Sequence, residues 1–204
     1  VKKVYLVSQV DEQKCVGDRF CENVCPTGAI RMVKKRAVVD STKCAACLRC
    51  LDACEEGAIL IVARQQPLAL GVDPAGADPA AVNDLCTRAH FDPEERICVC
   101  VDIRAKEVAA AILDGAGSPE EVSRMTGVRT SCGMWCMAPV QRLLQAKGHV
   151  LEAQKCRPWV PIETGLWNIP DEVVSKYPEY CLEEDREQLL RGTLENLVSI
   201  FKAK

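Results

Sequence analysis

The chain is poor in aromatic residues, in histidine and in long apolar runs. Phe, Trp and Tyr number three each and histidine two. So few rings exclude a large aromatic-rich core, and small modules without one need some other staple. No apolar run approaches the roughly 18–20 residues that a membrane-spanning helix requires. The start, Val1 to Val10, reads as a short β-like run carrying Lys2 and Lys3 rather than as a signal peptide. A cytoplasmic address is therefore expected. Basic stripes interleaved with aromatics are missing, which makes nucleic acid a poor candidate partner. Gly115-Ala116-Gly117 belongs to a helix stop, so a dinucleotide fold is not supported, and no phosphate loop, nucleophile elbow or zinc-protease motif occurs. Nothing in the sequence provides for accepting a hydride, so no catalytic residue is assigned.

Cysteine, by contrast, is abundant: 14 in 204 residues. In a cytoplasmic protein this argues against disulfides and for metal. Net charge is −3 and unevenly spread. Residues 1–64 carry 11 basic against 8 acidic side chains, residues 65–150 carry 8 against 11, and residues 151–204 carry 7 against 10.

Residues 11–33 and 40–62 repeat each other at an offset of 29. Asp11 matches Asp40, Cys15 matches Cys44, Cys21 matches Cys50 and Cys25 matches Cys54, and Gly28-Ala29-Ile30 matches Gly57-Ala58-Ile59. Such a duplication predicts two equivalent halves about a pseudo-two-fold axis. Each half reads as a cysteine-bearing loop, a short helical turn and an alternating strand.

Cys44-Ala45-Ala46-Cys47-Leu48-Arg49-Cys50 followed by Cys54 has the spacing C-x2-C-x2-C-x3-C. Three thiolates on a tight loop wrap one iron–sulfur cube, and the fourth reaches the other cluster. A zinc site would instead use two cysteine pairs. On these residues the segment 1–64 resembles the two-cluster bacterial ferredoxins. The resemblance implies one cluster on Cys44, Cys47, Cys50 and Cys25, the last followed by Pro26, and a second on Cys15, Cys21 and Cys54. Its remaining corner falls on Asp18, the repeat partner of Cys47. The gapless register favours a carboxylate-bound iron or a vacant corner, hence a 4Fe–4S or a 3Fe–4S cluster. The alternative is an aspartate that only faces solvent.

A second constellation, Cys98-Val99-Cys100 and Cys132-Gly133-Met134-Trp135-Cys136, has the spacing C-x-C…C-x3-C. Four thiolates in two pairs can hold a [2Fe–2S] cluster, and helix ends would offer free N–H groups to it. With Thr130-Ser131-Cys132-Gly133 and a helix over Ser118–Thr126, residues 94–148 resemble the bacterioferritin-associated-ferredoxin-like [2Fe–2S] domain. In that family C-x2-C is the commonest second pair. The competing reading is a structural zinc on the same thiolates. Cys86, Cys156 and Cys181 are unassigned, with Cys86 or Cys156 as substitutes should Cys136 not bind. His90 and His149 read as packed or solvated side chains.

The expected architecture is α+β. A small two-cluster ferredoxin, 1–64, has an antiparallel sheet and short helices. A linker, 65–93, contains Pro67, Pro74 and Pro79, and an all-α [2Fe–2S] domain, 94–150, has helices from Asp102, from Ser118 and from about Met134 to Lys147. An extended arm, 151–204, ends in a helix with Leu190, Leu194, Leu197 and Phe201 on one face. The [2Fe–2S] resemblance also covers flavin-dependent dehydrogenases. It implies an electron-transfer subunit of a multisubunit flavoprotein oxidoreductase, a hetero-oligomer with flavin-containing partners and no flavin or nucleotide of its own. The alternatives are a free soluble carrier and an iron–sulfur sensor or cluster-delivery protein.

Overall fold

The computed structural model describes residues 2–153 and 159–190, and over them the chain is α+β. Strand β1 (Lys2–Val10) leads to the first cysteine loop and α1 (Phe20–Asn23). A hairpin of β2 (Ile30–Val33) and β3 (Arg36–Val39) follows, then the second loop, α2 (Arg49–Asp52) and β4 (Ile59–Leu70). β4 runs antiparallel to β1, from Val10 opposite Ile59 to Lys2 opposite Leu70.

The duplication is visible bond by bond. Asp11 N–H donates to Ala58 O at 2.8 Å, and Asp40 N–H donates to Ala29 O at 2.7 Å. Arg19 and Leu48, which precede α1 and α2, both adopt left-handed backbone, at φ 72° and 66°. Between these elements the buried apolar groups are few. Ala29, Ile30, Ala37, Ala58 and Ile59 share the interior with the cysteines themselves.

Residues 65–93 differ from the expected linker. β4 continues through Pro67, which falls in the irregularity between the Leu6–Ala63 and Val4–Leu68 pairs, where no paired position loses a ladder hydrogen bond. A 3₁₀ turn (Pro74–Gly76) and the ten-residue helix α3 (Pro79–Arg88) follow. Pro74 and Pro79 occupy first helical positions rather than breaking helices. The side chains of Asp73 and Asp78 cap them by accepting from Ala75 N–H at 3.0 Å and Ala80 N–H at 3.1 Å. Val82, Leu85 and Cys86 of α3 lie in the core of the second module, so this module begins well before residue 94.

To the helices expected in that module the structure adds a hairpin of β5 (Arg96–Cys98) and β6 (Ile103–Arg104). Helices α4 (Ala105–Leu113), α5 (Pro119–Thr126) and α6 (Met137–Lys147) then pack around Val108, Ile112, Val122, Leu143 and Leu144. Ser118 caps α5, its Oγ accepting from Glu121 N–H at 3.3 Å, and Gly148 at φ 101° stops α6.

The arm returns to its own chain. Gln141 of α6 donates to Val160 O at 3.0 Å and accepts from Ile162 N–H at 2.8 Å, while Gln145 donates to Ile162 O at 2.8 Å. Trp159 is buried, and its indole N–H donates to Glu120 at 2.8 Å. Trp167 stacks on His90 with ring centroids 4.2 Å apart. Two further helices, α7 (Asp171–Lys176) and α8 (Leu182–Leu190), complete the described chain. The expected apolar face at Leu194, Leu197 and Phe201 lies outside the described residues, as does the side chain of Leu190.

Leu85 is 0% exposed. Leu85→Ala should therefore cost about 2–5 kcal/mol in chemical denaturation of the iron-loaded chain, as for a core leucine. A position in a linker would change by no more than about 0.5 kcal/mol.

Candidate metal centres

In the first module Cys15, Cys21, Cys25, Cys44 and Cys50 are buried together, with Cys47 and Cys54 half-buried beside them. All are free thiols. The charges acting on Cys47 come from Cys25, Cys50 and Cys44, so this thiol faces one cysteine from the first repeat and two from its own. Cys21 feels Asp18 most strongly among its charged neighbours, then Cys50 and Cys15. The neighbours of Cys47 are those of the crossed pattern, whereas those of Cys21 include Cys50, which that pattern assigns to the other set.

Burial pushes the thiols of Cys21 and Cys47 up to about 11, and neighbouring sulfur adds to the shift. The thiol of Cys50 also moves up for the same first reason. Thiolates crowded out of water and repelling one another need a positive core, which iron supplies.

Backbone amides are already aimed at them. Ala29 N–H donates to Cys25 Sγ and Ala58 N–H donates to Cys54 Sγ, both at 3.3 Å and both at equivalent points of the repeat. The hydroxyl of buried Ser8 lies 3.3 Å from Cys50 Sγ and accepts from Cys44 Sγ at 3.7 Å. Arg64 ties the Cys44 loop down by donating to Ser41 O at 2.6 Å and also to Cys44 O. This donor set fits cubane clusters.

Asp18 takes the local conformation of its thiol counterpart. Its Oδ1 accepts from Phe20 N–H at 3.0 Å, as Cys47 Sγ accepts from the amide of Arg49. It differs in being exposed, whereas Cys47 is half-buried. A carboxylate there shares the loop geometry of Cys47, yet is open to water.

In the second module Cys98 lies on β5, Cys100 in the β5–β6 turn, Cys132 in the loop before α6, and Cys136 at the start of α6. The four pair across the constellation rather than within each motif. Cys100 and Cys132 have their sulfurs 3.4 Å apart, and Cys98 is hydrogen-bonded to Cys136. Two thiolates on one tetrahedral metal with bonds of about 2.3 Å stand about 3.8 Å apart, so each crossed pair suits one metal atom. Four thiolates in two such pairs suit a two-iron cluster, one pair to each iron.

Donors converge here too. Cys98 is pushed down to about 6 by the hydrogen bond from Cys136 and the amides of Arg129, Val101 and Cys100, while Cys136 is pushed up by the same contact. The amides of Met134 and Trp135 lower Cys132.

Cys86 is not brought to either set. It is fully buried in the apolar core, which pushes its thiol up to about 12. Cys181 is exposed, and Cys156 lies outside the described residues. His90 is engaged by Trp167. Ser8, Arg64 and Arg129 carry no motif, and their roles come from tertiary placement alone.

Residues 8–31 match the model of the 4Fe-4S binding domain, and residues 96–146 match that of the BFD-like [2Fe-2S] binding domain. No curated protein and no solved structure gives a significant match to the chain. The chain thus joins a 4Fe–4S ferredoxin domain to a BFD-like [2Fe–2S] domain. Among the described residues no helix is long and apolar enough to cross a membrane.

Asp18→Cys should change the electron paramagnetic resonance (EPR) signature of one cubane and leave the other cubane unchanged. A spectrum identical to wild type would make Asp18 a bystander.

Proposed function

We propose that the chain is the iron–sulfur electron-transfer subunit of a multisubunit flavoprotein oxidoreductase. It moves single electrons between a flavin-containing partner and a further donor or acceptor. One cubane is held by Cys25, Cys44, Cys47 and Cys50. A second is held by Cys15, Cys21 and Cys54 with Asp18 at its fourth corner, and a [2Fe–2S] cluster by Cys98, Cys100, Cys132 and Cys136. Bound clusters supply one-electron redox chemistry. The protein's part is to hold them apart from bulk water, donate amides to their sulfurs and present one edge to a partner.

The observation that carries this reading is the surface at the second site. Cys100 and Cys132 are exposed, and the residues between Cys132 and Cys136 project outward, Met134 at 77% and Trp135 at 75% exposure. Large apolar side chains beside exposed ligands suit a protein partner that must approach the cluster closely. Residues 160–167 pack on α6 and on His90 of the same chain, and the partner is placed on the Met134–Trp135 surface instead.

Cluster delivery is the second reading, favoured by the exposure of Asp18, since a single carboxylate open to water would hold a corner iron weakly. As an electron carrier, the loaded protein should titrate reversibly and keep its clusters in chelator, whereas rapid loss would support delivery. Purification from the native source should bring down a flavin-containing chain. Trp135→Glu should abolish that association without bleaching the clusters. A lone monomer exchanging electrons with unrelated enzymes would overturn the subunit reading.

A further inference from the structure

The two modules touch at Lys2 with Val101, at Gly71 with Met125 and at the cysteine loops, and the loop contacts flank one ligand set rather than the other. Arg129 Nη1 donates to Pro26 O at 3.3 Å, and Pro26 follows Cys25. Arg49 Nη1 donates to Arg129 O at 3.4 Å, and Arg49 precedes Cys50. On the far side the backbone N–H of Arg129 donates to the sulfurs of Cys98 and Cys136. Gly133, at φ 68°, gives the Arg49 guanidinium its space, because a Cβ there would collide with it.

Arg129 is built into this joint. It is 2% exposed, pairs with Glu120 at 3.5 Å and bonds to Ser123 at 3.3 Å. Glu120 is in turn held by Trp159. The half-buried Arg49 places a second positive charge near Arg129, which Glu120 opposes and anionic clusters on both sides would offset further.

The repeat provides an internal control. The position equivalent to Arg49 in the Asp18 loop is Phe20, which is 54% exposed, and the position equivalent to Pro26 is the exposed Glu55. The same two surfaces that meet the second module in one half face water in the other.

We propose that electrons cross between the modules at the Arg49–Arg129 joint. The Cys25, Cys44, Cys47 and Cys50 site is then the neighbour of the [2Fe–2S] site, and the Asp18 site is the outer end of the relay. This rests on the ligand sets proposed above. In each transfer the donor site is oxidised by one electron and the acceptor site reduced by one, with no proton or atom moved. Arg49 and Arg129 are positioning residues, whose positive charges favour the reduced state of both sites they separate.

The test is an EPR-monitored redox titration of the full, iron-loaded chain, with dithionite as reductant. Arg49→Glu should shift the inner cubane and the [2Fe–2S] centre together to lower potential, and Arg49→Lys should restore both. Phe20→Glu, at the equivalent position, should shift the outer cubane alone. Arg49→Glu that leaves the [2Fe–2S] potential in place, or Phe20→Glu that moves it, overturns the order. If Arg49→Glu does not assemble, pulsed EPR distances in the Asp18→Cys protein decide. The [2Fe–2S] spin should lie nearer the cubane whose spectrum Asp18→Cys leaves unchanged, and the reverse ranking overturns the proposal. Absence of any [2Fe–2S] signal in wild type would instead sink the ligand sets themselves.

Discussion

Crowded thiols out of reach of water are the constraint on which the first module depends. Five of its cysteines are buried and two more half-buried, where a domain of this size would otherwise place Leu, Ile and Phe. Their ionised forms repel one another, and burial holds the free thiols high. Iron turns that liability into a staple. It supplies the central charge, and coordination closes both repeats around it, so metal binding and folding are one equilibrium in such small modules. The second module does not share this dependence. It has an apolar core of four helices that includes Cys98 and Cys136, while Cys100 and Cys132 are exposed on the hairpin turn and the loop before α6.

The difference sets what each module can do. Shielded sites with amide donors at fixed distances hold their potential steady, since potential follows hydrogen bonding and exposure. An exposed pair such as Cys100 and Cys132 is open to a partner. Joining both types in one chain gives an interior and an edge, with Arg129 bonded to both modules between them. The Trp159–Glu120–Arg129 chain of hydrogen bonds also holds Trp159 of the arm against α5, because its indole donates to a buried carboxylate.

Legibility in the sequence followed the locality of the physics. The 29-residue offset was readable because ligand spacing on a tight loop is a local property, and the structure repeats its hydrogen bonds at the same offset. Ser118-Pro119 marks a helix start because Glu121 completes the box. Asp73-Pro74 and Asp78-Pro79 perform the same capping without that companion, so their prolines read as a linker. The hairpin bearing Cys98 is too short for alternation to mark it, with three residues in β5 and two in β6. Arg129 and Ser8 are not legible because each acts through a contact with a residue far away in the chain, Pro26 and Cys50. The crossed pairing of Cys98 with Cys136 and Cys100 with Cys132 is likewise a tertiary fact that the spacing leaves open.

The central claim is that three separate sulfur sets each hold iron, two as cubane-type clusters and one as [2Fe–2S]. Iron analysis combined with Mössbauer spectroscopy of anaerobically prepared full-length protein tests it most directly. The account predicts about nine or ten iron atoms per chain, counting three or four at the Asp18 site, in cubane-type and [2Fe–2S] populations. Stoichiometric zinc with cubane-type iron alone would contradict it.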